Sequence, residues 1–281
     1  MTPADLSTIA AEDAARALRE DVGSGDLTAS LMPAQARAKA RILAREAAVI
    51  CGRPWVEATL REVDATIEAR WLVDEGARCK ADQVVLELEG PARSLLTAER
   101  TVLNFLQLLS AVATRTAAFV EAVRGTRAQI VDTRKTLPGL RIAQKYAVHM
   151  GGGTNNRIGL FDAVLIKENH IAAAGGVRAA LDAATRAAAQ AKFVEIEVER
   201  LDQLREALDA GAKMILLDNM DIPTLHEAVR INAGRAVLEI SGGVTLDNVR
   251  ALAETGVDRI SIGTLTKDVK ATDFSMRFSG F

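Results

Sequence analysis

The stretch that decides the fold is residues 193–263, FVEIEVERLDQLREALDAGAKMILLDNMDIPTLHEAVRINAGRAVLEISGGVTLDNVRALAETGVDRISIG. Short apolar runs in it, at 193–197, 214–218, 236–241 and 259–263, alternate with segments whose apolar residues recur at helical spacing. This alternation predicts parallel strands that are joined by helices, each crossing over from one strand to the next.

Two further apolar runs, at 129–132 and 163–167, extend the same pattern upstream. Six strand-and-helix units fit either an open doubly wound sheet or a barrel. We favour a barrel, because no GxGxxG opens the first unit. The spacing predicts intervening helices at 138–149, 175–190, 201–210, 221–232 and 245–254.

The first third of the chain has a different pattern, in which β-type runs are separated by glycine and proline. After an opening helix at 6–20, it predicts strands at 38–50, 66–73 and 84–88 and a helix at 54–63. A long amphipathic helical region then opens at Ser94. We place the boundary between a smaller first domain and the barrel near its start.

The composition is that of an ordinary globular protein, with 49% hydrophobic and 26% charged residues among 281. It excludes a wholly disordered or collagen-like chain. The formal net charge of −2 argues against a protein that coats nucleic acid or an anionic membrane. The N-terminus lacks the order of a secretory signal, and polar residues interrupt the most apolar stretch, 103–113. We therefore expect neither a nucleic-acid partner nor a membrane-spanning segment.

The chain has two cysteines, Cys51 and Cys79. They lack CxxC spacing and have no histidine cluster nearby, so the sequence suggests neither a disulfide framework nor a zinc site. Two reduced thiols in a cytoplasmic protein are the expectation.

Polar residues and a glycine stand where the predicted parallel strands end. Because the carboxyl ends of such strands meet at one edge of a sheet or barrel, we expect these residues to share a ligand-binding face. They are Asp132, Lys167, Glu197, Asp218, Ser241 and Gly263, with Arg134 and Lys135 just beyond the first strand.

Six cationic residues fall within two neighbouring units: Arg134, Lys135, Arg141, Lys145, Arg157 and Lys167. Arginine presents a bidentate fork to carboxylate or phosphate, and lysine presents a compact charge. Such a concentration of cations favours a small polyanionic ligand. The alternative is a solvated basic face, which applies most readily to Arg141 and Lys145, one helical turn apart.

Glycines beside hydroxyl residues follow the last two strands, in SGG at 241–243 and SIGT at 261–264. Glycines let backbone N–H groups approach an anion, and the last strands of many α/β barrels bind phosphate in this way. A turn alone explains either run, but the adjacent pair favours a phosphate site. The triple glycine at 151–153 is weaker evidence by itself.

Glu197 and Asp218 each close an apolar strand, and two neighbouring carboxylates are typical ligands of Mg²⁺, often through water. The alternatives are that they face a developing carbocation or pair with the lysines and arginines. Glu195 shares a strand face with Glu197, so either side chain is a candidate to point inward. His170 is a candidate acid or base, or a structural residue. Together these groups predict a phosphorylated substrate, a second anionic substrate and a divalent cation.

Several motifs are more specific than these patterns. They are DTRKTLPGLR at 132–141, KYAV at 145–148, GGG at 151–153, NR at 156–157, LIKENHI at 165–171, EIEV at 195–198, LLDNM at 216–220, SGG at 241–243 and SIG at 261–263. Through them the chain resembles the quinolinate phosphoribosyltransferase family, also called nicotinate-nucleotide pyrophosphorylase (carboxylating). The resemblance runs from about residue 8 to the C-terminus.

The resemblance implies a reaction of quinolinate with phosphoribosyl pyrophosphate and Mg²⁺ in NAD synthesis, yielding nicotinate mononucleotide, pyrophosphate and CO₂. It implies an α/β fold, with an incomplete parallel α/β barrel at 111–267 and an N-terminal α/β sandwich domain at 1–110 that the tail 268–281 joins. It also implies a cytoplasmic homodimer or larger homo-oligomer, in which a partner's N-terminal domain completes each active site.

By motif match, Arg134, Arg157 and Lys167 hold the carboxylates of quinolinate, and Arg100 reaches in from the neighbouring subunit. Asn156 stands beside Arg157 where the family commonly has histidine, so a neutral amide replaces a titratable cation in the substrate-binding set. We expect normal activity, with a compensating contact for Asn156.

The same match implies that Lys135 meets phosphoribosyl pyrophosphate, while Glu197 and Asp218 hold its Mg²⁺ and ribose region. The 5′-phosphate would be bound by Ser241, Gly242 and Gly263. The implied catalytic set is Lys135, Lys167, Glu197 and Asp218.

Other functions are open on the residues alone. Lys167 at a strand end is a credible imine former, as in a Schiff-base aldolase. A paralogue of the same fold would act on another acid. An anion-binding or assembly protein would retain the site but lack turnover.

Overall fold

The structure, a computed structural model, describes residues 3–187 and 191–279. Its helices are α1 (Pro3–Val22), α2 (Arg53–Val63), α3 (Ala92–Ala122), α4 (Arg141–Met150), α5 (Glu168–Ala174), α6 (Val177–Ala187), α7 (Leu201–Asp209), α8 (Ile222–Asn232), α9 (Val249–Glu254) and α10 (Thr264–Lys267). Its strands are β1 (Arg37–Ala44), β2 (Ala48–Val49), β3 (Glu68–Trp71), β4 (Arg78–Cys79), β5 (Val84–Pro91), β6 (Gln129–Val131), β7 (Val164–Ile166), β8 (Val194–Val198), β9 (Met214–Asp218), β10 (Val237–Ser241), β11 (Arg259–Ser261) and β12 (Phe274–Ser279).

The chain forms two compact units. The first comprises Met1–Arg115, Leu137–Gly151 and Asp268–Phe281, and the second comprises Thr116–Thr136 and Gly152–Lys267. Helix α4 therefore belongs to the first unit, although its sequence lies between two strands of the second. The domain bounds given above stay a prediction, and their outermost residues lie outside the described part of the chain.

The first unit contains a four-stranded antiparallel sheet in the order β12-β1-β5-β3, and β2 pairs with β4 in a two-stranded sheet. Side chains of β1 alternate, so that Ala40 and Ile42 are fully buried while Lys39 and Arg41 are exposed. This period of two explains why the segment forms a strand with one face on a core. The C-terminal strand β12 pairs along β1 and forms one edge of the sheet.

Helix α3 supplies much of the core of the first unit, where Leu95, Val102 and Leu106 are fully buried. Within the described residues, α3 is long and apolar enough to cross a membrane by length and composition. However, 67% of its most apolar window is buried inside the protein. The core helix of a soluble protein has the same properties, so this finding is weak evidence for a span.

The second unit contains a six-stranded parallel sheet in the order β6-β11-β10-β9-β8-β7. Consecutive strands are neighbours except β6 and β7, which form its two edges. A closed barrel would pair these two strands with each other. This sheet, with the antiparallel first unit, confirms the predicted α/β fold of an incomplete barrel with an N-terminal domain.

The six predicted parallel strands all form, but the helices differ in detail. The predicted helix at 175–190 begins at Val177, after Gly175 ends an unpredicted helix, α5, in a left-handed conformation (φ +86°). Its last three residues lie outside the described part of the chain. Helix α9 begins at Val249 instead of Thr245, because the Asn248 side chain fixes a turn there.

Candidate active site

The strand order places the predicted residues in a defined sequence along the carboxyl edge of the parallel sheet. From one edge strand to the other, they are Lys135 after β6, Gly263 after β11, Ser241 on β10, Asp218 on β9, Glu197 on β8 and Lys167 after β7. Phosphate-compatible residues and carboxylates therefore occupy the middle of the edge, while cations follow both outer strands.

Lys167 and Glu197 are brought together by strand register. Because Ile166 pairs with Ile196, the next residue of each strand lies beside the other. The Lys167 Nζ and Glu197 Oε2 atoms are 3.0 Å apart, and the two side chains are 51% and 14% exposed. His170 Nδ1 accepts a hydrogen bond (3.0 Å) from the backbone N–H of Lys167 in the first turn of α5. This bond favours the structural role for His170.

Asp218 faces a turn whose backbone only glycine adopts readily. It pairs in register with Ser241, and the next two residues, Gly242 and Gly243, have φ of +96° and +61°. A Cβ atom on Gly242 would lie 3.5 Å from Asp218 Oδ1. Asn248 holds the turn by donating to the Gly243 carbonyl at 3.0 Å. Because Gly242 and Gly243 have no side chains, the backbone of the turn beside the Asp218 carboxylate stays accessible.

Lys135 lies across Gly263. A Cβ atom on Gly263 would come within 2.9 Å of Lys135 Cδ, which is closer than side-chain packing permits. The backbone of Lys135 is held at both ends, since its N–H donates to Thr133 Oγ1 (3.0 Å) and its carbonyl accepts from Thr266 Oγ1 (2.7 Å). Gly263 therefore allows an exposed lysine to pass over the turn predicted to bind phosphate.

The segment 154–157 lies along the outer side of β6. Thr154 makes a parallel bridge with Val131, and the buried Asp132 carboxylate accepts hydrogen bonds from the N–H of Asn156 (2.8 Å) and from Asn155 Nδ2 (2.7 Å). Asp132 thus fixes the backbone that precedes Arg157.

Arg157 reaches from this segment toward the other edge of the sheet. Its Nη1 donates to the carbonyl of Ala163, just before β7, at 3.4 Å. Burial, and then the neighbouring charge of Arg134, lower the pKa of Arg157 from its ordinary value. Two guanidinium groups close enough to affect each other are typical of a site for an anion that has several carboxylate or phosphate oxygens.

Charged side chains are buried inside the second unit. Glu195 and Glu239 are both shielded from solvent, and Glu239 Oε2 lies 3.1 Å from Arg259 Nε. Burial and the charge of Glu239 raise the pKa of Glu195 to about 8, and burial raises the pKa of Glu239. Glu195, and not Glu197, is therefore the more enclosed carboxylate of β8.

Comparison with known proteins identifies the family. Residues 112–277 match the family model "Quinolinate phosphoribosyl transferase, C-terminal domain", and residues 26–110 match the N-terminal domain of the same family. The chain belongs to the quinolinate phosphoribosyl transferase family.

Relatives of the family match along nearly the whole chain. A nicotinate-nucleotide pyrophosphorylase (carboxylating) of Mycobacterium leprae is 46% identical over 93% of this chain and 94% of its own length. A probable enzyme of the same name from Bacillus subtilis is 40% identical over 92% and 89%. The solved nicotinate-nucleotide pyrophosphorylase of Francisella tularensis is 41% identical and superposes with a TM-score of 0.95, covering 99% of this chain and 98% of that one.

The structure gathers most of the predicted family residues in the second unit, but not all. Arg100 is exposed on α3 in the first unit. Arg141 and Lys145 lie on α4, also in the first unit, and Lys145 is buried, so a solvated basic face is excluded for it. The roles assigned to individual site residues by the family resemblance stay predictions.

Sequence reasoning missed two residues of the site region, Glu239 and Arg259. Both lie within the apolar runs that predicted strands, where a charged residue is easily taken for part of a solvent face. A signal was present, because Glu239 lies two residues before Ser241 and therefore shares its strand face.

The donor atoms present fit Mg²⁺. Glu197 and Asp218 offer carboxylate oxygens from neighbouring strands, which a hard cation prefers. Among residues 3–187 and 191–279, no group of three or more His, Cys, Asp or Glu side chains is placed to form a protein cage.

The Lys167–Glu197 pair is expected to add little to folding stability. Because Lys167 is half-exposed, Glu197→Gln should lower the free energy of unfolding by less than about 1 kcal/mol. Ile196→Ala, at a fully buried position on the same strand, should lower it by about 2–5 kcal/mol. Urea unfolding of both variants measures the difference. If Glu197→Gln lowered the free energy of unfolding as much as Ile196→Ala does, Glu197 would have a structural role in addition to any role in ligand binding.

Proposed function

We propose that this protein transfers the phosphoribosyl group of phosphoribosyl pyrophosphate to quinolinate and decarboxylates the product. The products are nicotinate mononucleotide, pyrophosphate and CO₂, so the reaction belongs to NAD biosynthesis. The proposal rests on the family membership and on the names of relatives that match over most of the chain.

The order of groups along the carboxyl edge is the observation that carries the proposal. Arg134 and Arg157 offer paired forks for a dicarboxylate beside β6, and the glycine turns after β10 and β11 suit a 5′-phosphate. Lys135 packs over Gly263, at the junction of these two regions. A single edge can therefore hold both anionic substrates next to each other.

Positioning provides much of the proposed catalysis. Arg134, Arg157 and Lys167 hold the carboxylates of quinolinate, so that the pyridine nitrogen faces C1 of the ribose. Ser241, Gly242 and Gly263 fix the other end of the second substrate through its phosphate. Holding both reactants in this geometry replaces an encounter in solution by a step within one complex.

Charge stabilisation by Lys135 is the second contribution to the proposed catalysis. As pyrophosphate leaves, the ammonium group neutralises its growing negative charge, and the ribosyl centre becomes oxocarbenium-like before the pyridine nitrogen attacks it. The bond between C2 and its carboxylate then breaks. The new pyridinium ring stabilises the electron pair left at C2, and a proton replaces CO₂ there, so no separate electron-sink cofactor is required.

Mg²⁺ is the proposed cofactor, with Glu197 and Asp218 as its protein ligands. When bound, the ion neutralises pyrophosphate oxygens and orients them. Glu197 also contacts Lys167, so the same carboxylate fixes a substrate-binding cation.

A Schiff-base aldolase is not favoured. An imine-forming lysine is typically desolvated in an apolar pocket or beside another cation. Lys167 is instead half-exposed and contacts a carboxylate at 3.0 Å. A paralogue that acts on another acid, and an anion-binding protein without turnover, are distinguished by the assay described below.

We further propose a homodimer, or a larger homo-oligomer, in which a partner's Arg100 completes each site. Leu27 and Leu31 support this oligomer, because they are 87% and 82% exposed although hydrogen bonds hold the segment that carries them. Asp26 accepts from Thr97, and Arg93 donates to the Met32 carbonyl, so the segment is fixed to the turn of α3 that precedes Arg100. Large apolar side chains exposed on a fixed segment are typical of a protein contact.

A cytoplasmic location is also proposed. Cys51 and Cys79 are free and buried. Such thiols suit a reducing compartment.

Release of labelled CO₂ tests the proposed reaction. Purified protein is expected to release ¹⁴CO₂ from quinolinate labelled at the 2-carboxyl only when both phosphoribosyl pyrophosphate and Mg²⁺ are present. Chelation of Mg²⁺ should abolish release, and added Mg²⁺ should restore it. Release without phosphoribosyl pyrophosphate would contradict the mechanism, and no release under any condition would favour one of the alternatives.

Lys135→Ala is expected to lower turnover at least about a hundredfold, because it removes the cation that faces the leaving group. Lys213→Ala provides a matched control, since Lys213 is exposed at the opposite end of the sheet, just before β9. Its turnover should stay within about twofold. A decrease of less than threefold for Lys135→Ala would remove Lys135 from the mechanism.

Complementation between two inactive variants tests the shared site. Arg100→Ala and Lys135→Ala are each expected to be nearly inactive alone. In a dimer formed from one chain of each, one site carries both defects and the other carries neither. A statistical mixture should therefore recover about a quarter of the wild-type turnover. Absence of recovery, with mixed dimers detected by mass spectrometry, would place Arg100 in its own chain's site, and an active Arg100→Ala variant would place it outside any site.

A further inference from the structure

The interior of the second unit carries buried charge where an α/β barrel usually has apolar side chains. Asp132, Glu195 and Glu239 are all buried there, on three different strands or their ends. Burying a carboxylate costs free energy unless good partners surround it. Their presence therefore needs a reason beyond packing, and the contacts of Glu239 provide one.

Glu239 makes contacts in two directions. Its Oε1 accepts a hydrogen bond from Asn156 Nδ2 at 3.3 Å, and its Oε2 lies 3.1 Å from Arg259 Nε. Arg259 is its register partner on β11, so that charge pairing is set by the sheet. The bond to Asn156 instead crosses from β10 to a segment that lies beyond β6, two strands away in the sheet.

Asn156 transmits this contact to Arg157. While its amide nitrogen donates to Glu239, its Oδ1 accepts the backbone N–H of Arg157 at 2.7 Å. Its own backbone N–H is fixed by Asp132 at 2.8 Å. The side chain of Asn156 is therefore held at both ends, and rotation about it would release the N–H of Arg157.

We propose that Glu239 is a positioning residue for the dicarboxylate substrate, and that it acts through Asn156 on the backbone of Arg157. The inference rests on the proposed function, because it presupposes that Arg157 binds quinolinate. Glu239 does not touch the substrate in this scheme. It fixes the direction of the amide, and the amide fixes the residue that carries the guanidinium group.

Reversing the polarity of one hydrogen bond tests the proposal. Asn156→Asp replaces the donor by a carboxylate oxygen facing Glu239, but keeps the oxygen that accepts from Arg157. Glu239→Gln keeps an acceptor for Asn156 but puts an amide group near Arg259. The double variant restores the bond in the opposite direction at unchanged net charge, because the new amide at position 239 donates to the new carboxylate at position 156.

Steady-state kinetics of the four proteins provide the readout. Asn156→Asp is expected to raise KM for quinolinate by at least about fivefold, and Glu239→Gln to raise it by a smaller factor, with KM for phosphoribosyl pyrophosphate within about twofold. The double variant should return KM for quinolinate to within about twofold of wild type. Failure of this rescue, or equal changes in both KM values, would overturn the proposal.

A structural control separates positioning from general loss of stability. Asn232 is a buried amide of the same unit, and it holds both the N–H and the carbonyl of Ala236 ahead of β10. Asn232→Ala should lower the melting temperature without changing KM for quinolinate. If Glu239→Gln fails to fold, Asn156→Asp still tests the link, because an unchanged KM for quinolinate in that variant overturns it.

Measurements on the wild-type protein separate failure of the proposed function from failure of the positioning role of Glu239. If wild type releases CO₂ and the variants show no selective change in KM for quinolinate, only the positioning role is wrong. If wild type neither binds quinolinate in calorimetry nor releases CO₂, the proposed function fails, and the positioning role fails with it.

Discussion

The parallel register of the six-stranded sheet is the constraint on which the site depends. Register places Lys167 beside Glu197 and Asp218 beside Ser241, and the ion pair of Lys167 with Glu197 forms only because the strands already hold these residues side by side. A slip by one residue would turn every one of these groups to the other face of the sheet. The apolar interiors of the strands, such as Ile196, Ile215 and Ile240, therefore determine the positions of the polar ends.

The net charge of the chain does not describe the edge that this register creates. A formal charge of −2 argues against steering toward nucleic acid, but averaging conceals local charge. Arg134 and Arg157 are close enough for their charges to interact, and Lys135 lies exposed over Gly263. Such an edge suits small anions with several oxygens. Ion pairs elsewhere, such as that of Arg230 with Glu227, do not contribute to it.

Sequence could predict the strands and their carboxyl ends because both follow from local pattern. Runs such as MILLD at 214–218 are apolar, and β9 forms there with the predicted bounds. The start of α9 could not be predicted from helical spacing, since it depends on the Asn248 side chain bonding back to Gly243. Contacts across the sheet, such as Glu239 with Asn156, join residues 83 positions apart and leave no periodic signal.

The polar interior follows from the open form of the barrel. With β6 and β7 unpaired with each other, residues 154–163 run between these two edge strands, and their backbone needs hydrogen-bond partners. Asp132 supplies acceptors for the N–H of Asn156 and the side chain of Asn155, and Glu239 supplies one for Asn156. A layer of apolar side chains would leave residues 154–163 without these hydrogen-bond acceptors. A closed barrel could have an apolar core, but it would have no segment at this position to carry Arg157. The burial of Asp132 and Glu239 and the position of Arg157 are thus two consequences of the same missing strand pairing.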